Sequence, residues 1–157
     1  MDQKVFTEIV QRWKDTVFRL AYSYMKSQAD ADDITQTVFL KLYQSRTVFA
    51  SEEHIRNWLI KVTINECRSL LRSWWRKGES IEQYAEKLSL KPQQKELLED
   101  VMKLPEKYRI PIYLFYYEEY TSEEIGEILH IPAATVRTRL ARGRKQLRIQ
   151  LNEDEKQ

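Results

Sequence analysis

The sequence predicts an all-α protein built as two small helical domains joined by a linker. Three observations carry that expectation. The chain has only 3 Gly and 4 Pro in 157 residues and no alternating β-branched runs. Its apolar side chains instead recur every three or four positions, the period of a helix packed on one face. Its charge is clustered: the formal total is only +2, yet residues 131–150 hold six basic side chains and no acid, and residues 54–78 sum to +5. Between these islands, residues 79–106 sum to −3 and contain Pro92, which marks a boundary. The expected organisation is a first domain at 1–77, a linker at 78–95, a second domain at 96–151 and an acidic tail at 152–157.

The first helix is expected from Asp2 to Met25. Val5, Phe6, Ile9, Val10, Trp13, Val17, Leu20, Ala21 and Tyr24 form one wide apolar stripe. Ser27 and Gln28 interrupt it. A second helix is expected from Asp30 to Tyr43, with Asp30, Asp32 and Asp33 in its first turn, where the helix dipole favours acids. These acids lack the alternating oxygen ligands of a calcium loop and read as an exposed acidic edge.

Periodicity is lost between Gln44 and His54, so a loop is expected there. A third helix should run from Ile55 to Trp75. At about 100° per residue, Lys61, Asn65, Arg68, Arg72 and Arg76 share one face, opposite Ile55, Leu59, Val62, Leu70 and Trp74. Asn65 both donates and accepts hydrogen bonds, as contact with a base edge requires. Phe49 precedes this helix and Trp58 borders the basic stripe. Aromatics beside cations suit unstacked single-stranded bases, although Trp58 and Trp74 read more simply as core.

Residues 79–95 mix a short helical stretch, 81–88, with Leu90, Lys91 and Pro92. In the second domain Leu97, Leu98, Val101 and Leu104 are expected to face inward. Pro105 should occupy the first position of the next helix, and Pro111 should bend or interrupt its first turn. Tyr113, Tyr116, Tyr117 and Tyr120 read as a packing layer.

Thr121 and Glu124 then have the spacing of a capping box. Gly126 is small where two helices must cross, and Ile125, Leu129, Val136 and Leu140 are apolar where they pack. His130, Ile131 and Pro132 form the turn, with His130 where a left-handed residue is needed. Past the turn, Val136, Leu140, Gly143 and Leu147 face inward. Ala134, Thr138, Ala141, Arg142 and Lys145 face outward, flanked by Arg137 and Arg148. Small side chains let a backbone approach a major-groove floor, and arginines at the borders reach guanine edges or phosphates. A solvated helix face accounts for either basic island alone. Two islands on separate parts of one chain point to a nucleic acid touched at two places.

Composition excludes other classes. One cysteine, Cys67, allows no disulfide framework and indicates a reducing compartment. Two histidines, His54 and His130, without further ligands make a metal role unexpected. No nucleophile–base pair or phosphate-cradling loop is evident, so neither enzymatic activity nor a cofactor is expected. With no signal-peptide core and no apolar run approaching about 18 residues, the expected location is cytoplasmic, with no membrane insertion of its own.

Four motifs in order make the chain resemble a bacterial RNA polymerase sigma factor of the sigma-70 family, in the extracytoplasmic-function subgroup that has only regions 2 and 4. They are residues 32–39 from Asp32 to Phe39, 58–65 from Trp58 to Asn65, 104–109 together with 124–129, and 135–144 from Thr135 to Arg144. The resemblance implies that Asp32, Asp33, Gln36 and Phe39 dock on the clamp helices of the polymerase β′ subunit. It implies that the loop carrying Phe49, with Asn65, captures a flipped base of the −10 element. Lys61, Arg68 and Arg72 would hold the melted strand or upstream backbone. Arg137, Thr138, Ala141, Arg142 and Lys145 would read the −35 element, the second domain would also meet the β flap, and an anti-sigma protein would sequester both domains. The sequence departs from relatives in reading Ala50, Ser51, Glu52 and Glu53 where an Arg-Gly-Asp-like stretch is frequent. It departs again at His130 and Ala134, which are frequent glycine positions, and at Ala141. The alternative is a helix-turn-helix regulator that never joins polymerase.

Overall fold

The computed structural model describes residues 1–77 and 99–155, with side chains for 1–73 and 99–148. Every regular element among them is helical. The chain divides into two units, Met1–Glu86 and Lys87–Gln157. The expected linker at 78–95, the helical stretch 81–88, and Leu97 and Leu98 lie outside the described residues.

The first unit packs three helices, α1 (Gln3–Met25), α2 (Gln28–Gln44) and α3 (Glu52–Lys77), each against the other two. Asp2 caps α1 by accepting the Lys4 amide at 3.2 Å. Lys26, left-handed at φ 55°, ends it by donating its amide to Tyr22. Ser27 at once caps α2, accepting the Asp30 amide at 3.3 Å. So short a connection folds α2 back along α1. The Phe6 ring near the start of α1 accordingly meets Tyr43 near the end of α2, edge to face at 5.0 Å.

The core of this unit is Val17, Leu20, Ala21 and Tyr24 from α1, Ile34, Val38, Phe39 and Leu42 from α2, and Leu59, Ile60, Ile64 and Cys67 from α3. Two buried hydroxyls are satisfied within their own helices: Ser23 donates to the Leu20 carbonyl and Thr63 to that of Leu59, both at 2.6 Å. Two contacts tie helices together at the surface, Arg12 to Glu52 at 2.6 Å and Lys41 to Glu66. Being exposed, the first contributes about 1 kcal/mol at most, so the apolar core carries the stability.

Several boundaries differ from expectation. Ser27, whose hydroxyl accepts the Asp30 amide, caps the helix and so moves the start of α2 upstream, which leaves only Asp30 in the first turn and puts Asp32 and Asp33 in the second. The loop is shorter, at residues 45–51, because Ser51 starts α3 three residues early by accepting the His54 amide at 3.1 Å. The buried face of α3 is Leu59, Ile60, Thr63, Ile64 and Cys67, with Ile55, Val62 and Leu70 only half-buried at its margins. Trp58 is likewise half-buried instead of core, and the side chains of Trp74 and Arg76 are not described. Val5 is 45% exposed, so the apolar stripe of α1 is buried mainly in its second half.

In the second unit residues 99–102 are helical, and α4 (Glu106–Tyr116), α5 (Ser122–Leu129) and α6 (Ala133–Glu155) follow. Pro105 takes the cap position of α4, one residue earlier than expected, with extended φ −55° and ψ 148°. The helix nevertheless runs unbroken through Pro111, which is buried and contributes no amide to the ladder. Arg109, itself buried, donates to the Leu104 carbonyl at 2.8 Å and so closes the turn before α4. Of the tyrosine layer, Tyr113 and Tyr120 are buried, Tyr117 is half-buried and stacked on Tyr113 at 5.3 Å, and Tyr116 is 50% exposed.

The turn between α5 and α6 is built as its sequence requires. Thr121 and Glu124 form the reciprocal capping box, at 3.1 and 3.0 Å. His130 is left-handed at φ 59° and ψ 44°, and its amide and that of Ile131 both donate to the Gly126 carbonyl. A β-carbon on residue 126 would lie 2.7 Å from the Ile131 carbonyl oxygen, below van der Waals contact and against backbone that cannot rotate away. Gly143 differs. There a β-carbon would meet the Ile112 Cδ1 at 2.7 Å, the movable end of a side chain.

The two glycines therefore predict different costs. Gly126→Ala should destabilise the protein by about 1–3 kcal/mol, the usual range for overpacking. Gly143→Ala should stay within about 1 kcal/mol, because the gain in helix propensity offsets a small shift of Ile112. Urea unfolding of the full chain followed by circular dichroism compares them, and equal effects would contradict the packing difference.

Candidate nucleic-acid interface

On α6, four buried residues, Val136, Leu140, Gly143 and Leu147, turn the opposite side of the helix to solvent. That side carries Ala134, Arg137, Thr138, Ala141, Arg142, Lys145 and Arg148, all exposed. Thr138 spends its hydroxyl proton on the Ala134 carbonyl at 3.1 Å, leaving its methyl and oxygen lone pairs outward. The resulting face has a low floor of Ala134, Thr138 and Ala141, bordered by cations. A surface of that shape and charge fits the major groove of duplex DNA.

The cations are not equally free. Arg137 reaches back to Glu123 of α5 at 3.4 Å, both side chains being well exposed. Arg144 turns sideways and donates to the Tyr116 hydroxyl at 3.2 Å. At the other border Lys107 lies 5.0 Å from the Tyr108 ring centre, within cation–π reach. Burial pushes the Tyr108 hydroxyl pKa up, but the adjacent Lys107 and Arg142 outweigh it and hold it below the ordinary value. Arg142 thus has the Tyr108 hydroxyl of α4 beside it, with Lys107 flanking the same ring. The sequence alone points to neither residue, because nothing in the spacing within α4 shows which side meets α6.

On α3, Lys61, Asn65 and Arg72 are exposed and Arg68 is half-buried, so the expected basic stripe faces outward. Phe49 joins it through aromatic contacts. Its ring stands edge-on to Trp58 at 5.9 Å and to His54 at 5.1 Å. Trp58 lies three residues before Lys61 and seven before Asn65, hence on the same helical face. A half-buried aromatic corner therefore sits at one end of a row of cations and one amide, which suits a base out of its stack beside a phosphate backbone.

A third surface lies on α2. Asp32, Asp33 and Gln36 are exposed on one face, and Leu40 and Tyr43 continue it at 56% and 48% exposure. Phe39, which the sequence assigned to the docking set, is only 6% exposed. Phe39 lies at the edge of that face, seven residues after Asp32, and is covered by the packing of α2 against α1 and α3. Leu40 and Tyr43 were missed, although their i, i+4, i+7 spacing from Gln36 was legible.

No group of three or more His, Cys, Asp or Glu able to hold a metal occurs among the described residues. No helix among them is long and apolar enough to cross a membrane.

Comparison with known proteins agrees with this geometry over both units. The profile described as Sigma-70 region 2 matches residues 9–77, and Sigma-70, region 4 matches residues 94–147. The chain is 32% identical to the ECF RNA polymerase sigma factor SigW of Bacillus subtilis, over 97% of this chain and 91% of that protein. It is 33% identical to the RNA polymerase sigma factor SigV of the same organism, over 90% and 88%. In fold it is similar to the sigma factor RpoE of Bartonella quintana, solved in complex with the anti-sigma factor NepR, with a TM-score of 0.77 at 22% identity over 95% of this chain and 98% of that one. It is also similar to CnrH, solved with the cytosolic domain of CnrY, with a TM-score of 0.72 over 98% and 91%.

The Arg137–Glu123 contact gives a direct check of the α6 face. Glu123→Gln should leave stability within about 0.5 kcal/mol, as for other exposed pairs, while releasing Arg137 and removing an acid from the rim. Affinity for duplex DNA at low salt should rise by about twofold to fivefold, most of it lost at high salt. Fluorescence anisotropy alongside thermal melting measures both, and unchanged affinity would place Arg137 outside the interface.

Proposed function

We propose a division of labour between the two units of a chain that belongs to the extracytoplasmic-function subgroup of the sigma-70 family of RNA polymerase sigma factors. The protein directs core RNA polymerase to specific promoters and serves in transcription initiation. Sigma factors are non-enzymatic subunits, and this chain acts by binding. In our reading Arg137, Thr138, Ala141, Arg142 and Lys145 read the −35 element from the major groove. Phe49 and Asn65 take up a flipped base of the −10 element, while Lys61, Arg68 and Arg72 hold the strand beside it.

The observation that carries this reading is the pairing of two different outward faces in one chain. The α6 face is a low floor with charged borders, suited to an intact duplex. The α3 face is a cationic row ending in an aromatic corner, suited to unpaired bases. A regulator that never joined polymerase would leave the α3 row and the α2 face without purpose.

For the α2 face we propose docking on the β′ clamp helices, with Asp32, Asp33 and Gln36 supplying polar contacts. Leu40 and Tyr43 supply the exposed apolar area that a stable interface needs at its centre. The second unit would also meet the β flap. We further propose that a separate inhibitory protein covers these faces when the chain is idle, and that the chain works in the cytoplasm.

Run-off transcription with core polymerase is the primary test, and absence of a stable complex with core would remove the sigma-factor reading. Arg142→Ala should weaken promoter-duplex binding by about 1–3 kcal/mol in a sequence-dependent way. An equal loss on unrelated DNA would reduce Arg142 to a phosphate contact. Phe49→Ala or Asn65→Ala should slow strand opening more than closed-complex binding, by about 1–3 kcal/mol if a stacked base is lost. Permanganate reactivity of the melted region reports it, and an unchanged footprint would remove these residues from the −10 site.

A further inference from the structure

His54 makes three contacts at the point where the Phe49 loop enters α3. Its Nδ1 accepts the Ala50 amide at 3.0 Å. Its ring stands edge-on to Phe49 at 5.1 Å and 68°. Its own amide donates to the Ser51 hydroxyl at 3.1 Å, and the Ile55 amide donates to the Ser51 carbonyl at 3.2 Å, so residue 54 is locked to the cap of the helix. The arrangement parallels a capping box. The third residue of the helix reaches back to a backbone amide, but an imidazole stands where a glutamate is usual, and the amide it takes belongs to the residue beside Phe49.

We propose that His54 is the positioning residue of the base-capturing loop, an inference that rests on the proposed role of Phe49 in the −10 site. An acceptor at Nδ1 requires that nitrogen to be unprotonated, which leaves the ring proton on Nε2. The Nδ1 contact fixes the Ala50 peptide plane, and with it the direction in which the chain leaves Phe49. The ring contact and the Phe49–Trp58 contact at 5.9 Å then hold the Phe49 ring from two sides. Beyond this corner the loop has few restraints of its own: Val48 is 89% exposed, and the side-chain contacts of Ser45 and Thr47 are to each other. A loop held this way meets the DNA already shaped, so less ordering is needed when the base arrives.

The geometry separates two contributions. His54→Asn keeps an acceptor at the position of Nδ1 and removes the ring. His54→Phe keeps a ring and removes the acceptor. His54→Ala removes both. Each full-length variant is assembled with core polymerase on promoter DNA carrying 2-aminopurine at successive non-template positions of the −10 element. The fluorescence rise then reports base extrusion, and anisotropy reports closed binding.

With closed binding unchanged, His54→Ala and His54→Phe should slow extrusion by about fivefold to tenfold, as loss of one hydrogen bond would. His54→Asn should stay within about twofold of the parent. Normal extrusion by His54→Phe, or slow extrusion by His54→Asn, would overturn the proposal, since the Nδ1 acceptor would then not be the deciding contact. Phe49→Ala run in parallel keeps the two readings apart. If it opens normally, the −10 role of the loop fails. If it is slow while all three His54 variants are normal, that role stands and His54 does not position the loop.

Discussion

The second unit depends on the close approach of α5 to the turn before α6 at Gly126. The Ile131 carbonyl lies where a β-carbon would project, so any other side chain would push the turn outward. That approach forces the chain to reverse within three residues, which in turn requires a left-handed residue at His130. The Gly126 carbonyl collects the amides of His130 and Ile131 and satisfies the end of α5. With α5 ended there and α6 begun at Ala133, Val136 and Leu140 fall into the core. Ala134, Thr138 and Ala141 are then left outside with no alternative. The outward basic surface of α6 follows from burial on the opposite side of the same helix.

The first unit obeys the same logic with a different fastening. Two residues between α1 and α2 impose a helical hairpin, and α3 lies against both. Burial of Leu59, Ile60, Ile64 and Cys67 sends Lys61, Asn65 and Arg72 to solvent. Among the described residues, Arg12 and Lys41 are engaged with acids, while Lys61 and Arg72 form no ion pair with another described residue. A cation not neutralised by its own protein remains available to a phosphate, and that availability costs little in stability because exposed pairs contribute so little.

Two modest readers in one chain also make thermodynamic sense. Once one unit is bound, the other searches at an effective concentration set by the connection between them, so neither needs high affinity by itself. Duplex reading demands a flat, charged face, and capture of an extruded base demands an aromatic corner.

Much of this was legible in the residues themselves. Periodicity separated inside from outside on α6 without error at Val136, Leu140, Gly143 and Leu147, since a helix with one buried stripe leaves no ambiguity. The capping box, the left-handed His130 and the need for a small residue at Gly126 were likewise local facts. What the sequence could not decide depended on neighbours distant along the chain. Phe39 reads like its exposed neighbours until the packing of α2 against α1 and α3 buries it. Trp58 reads as core until Phe49, itself backed by His54, is found against it. Tyr108 and Lys107 come beside Arg142 and the outer face of α6 only because α4 packs against it. Helical phase and end chemistry are properties of short segments, so the sequence by itself determined the fold class, the elements and the outward basic faces. Which residues complete each face depends on how the helices pack, and only the tertiary structure decided that.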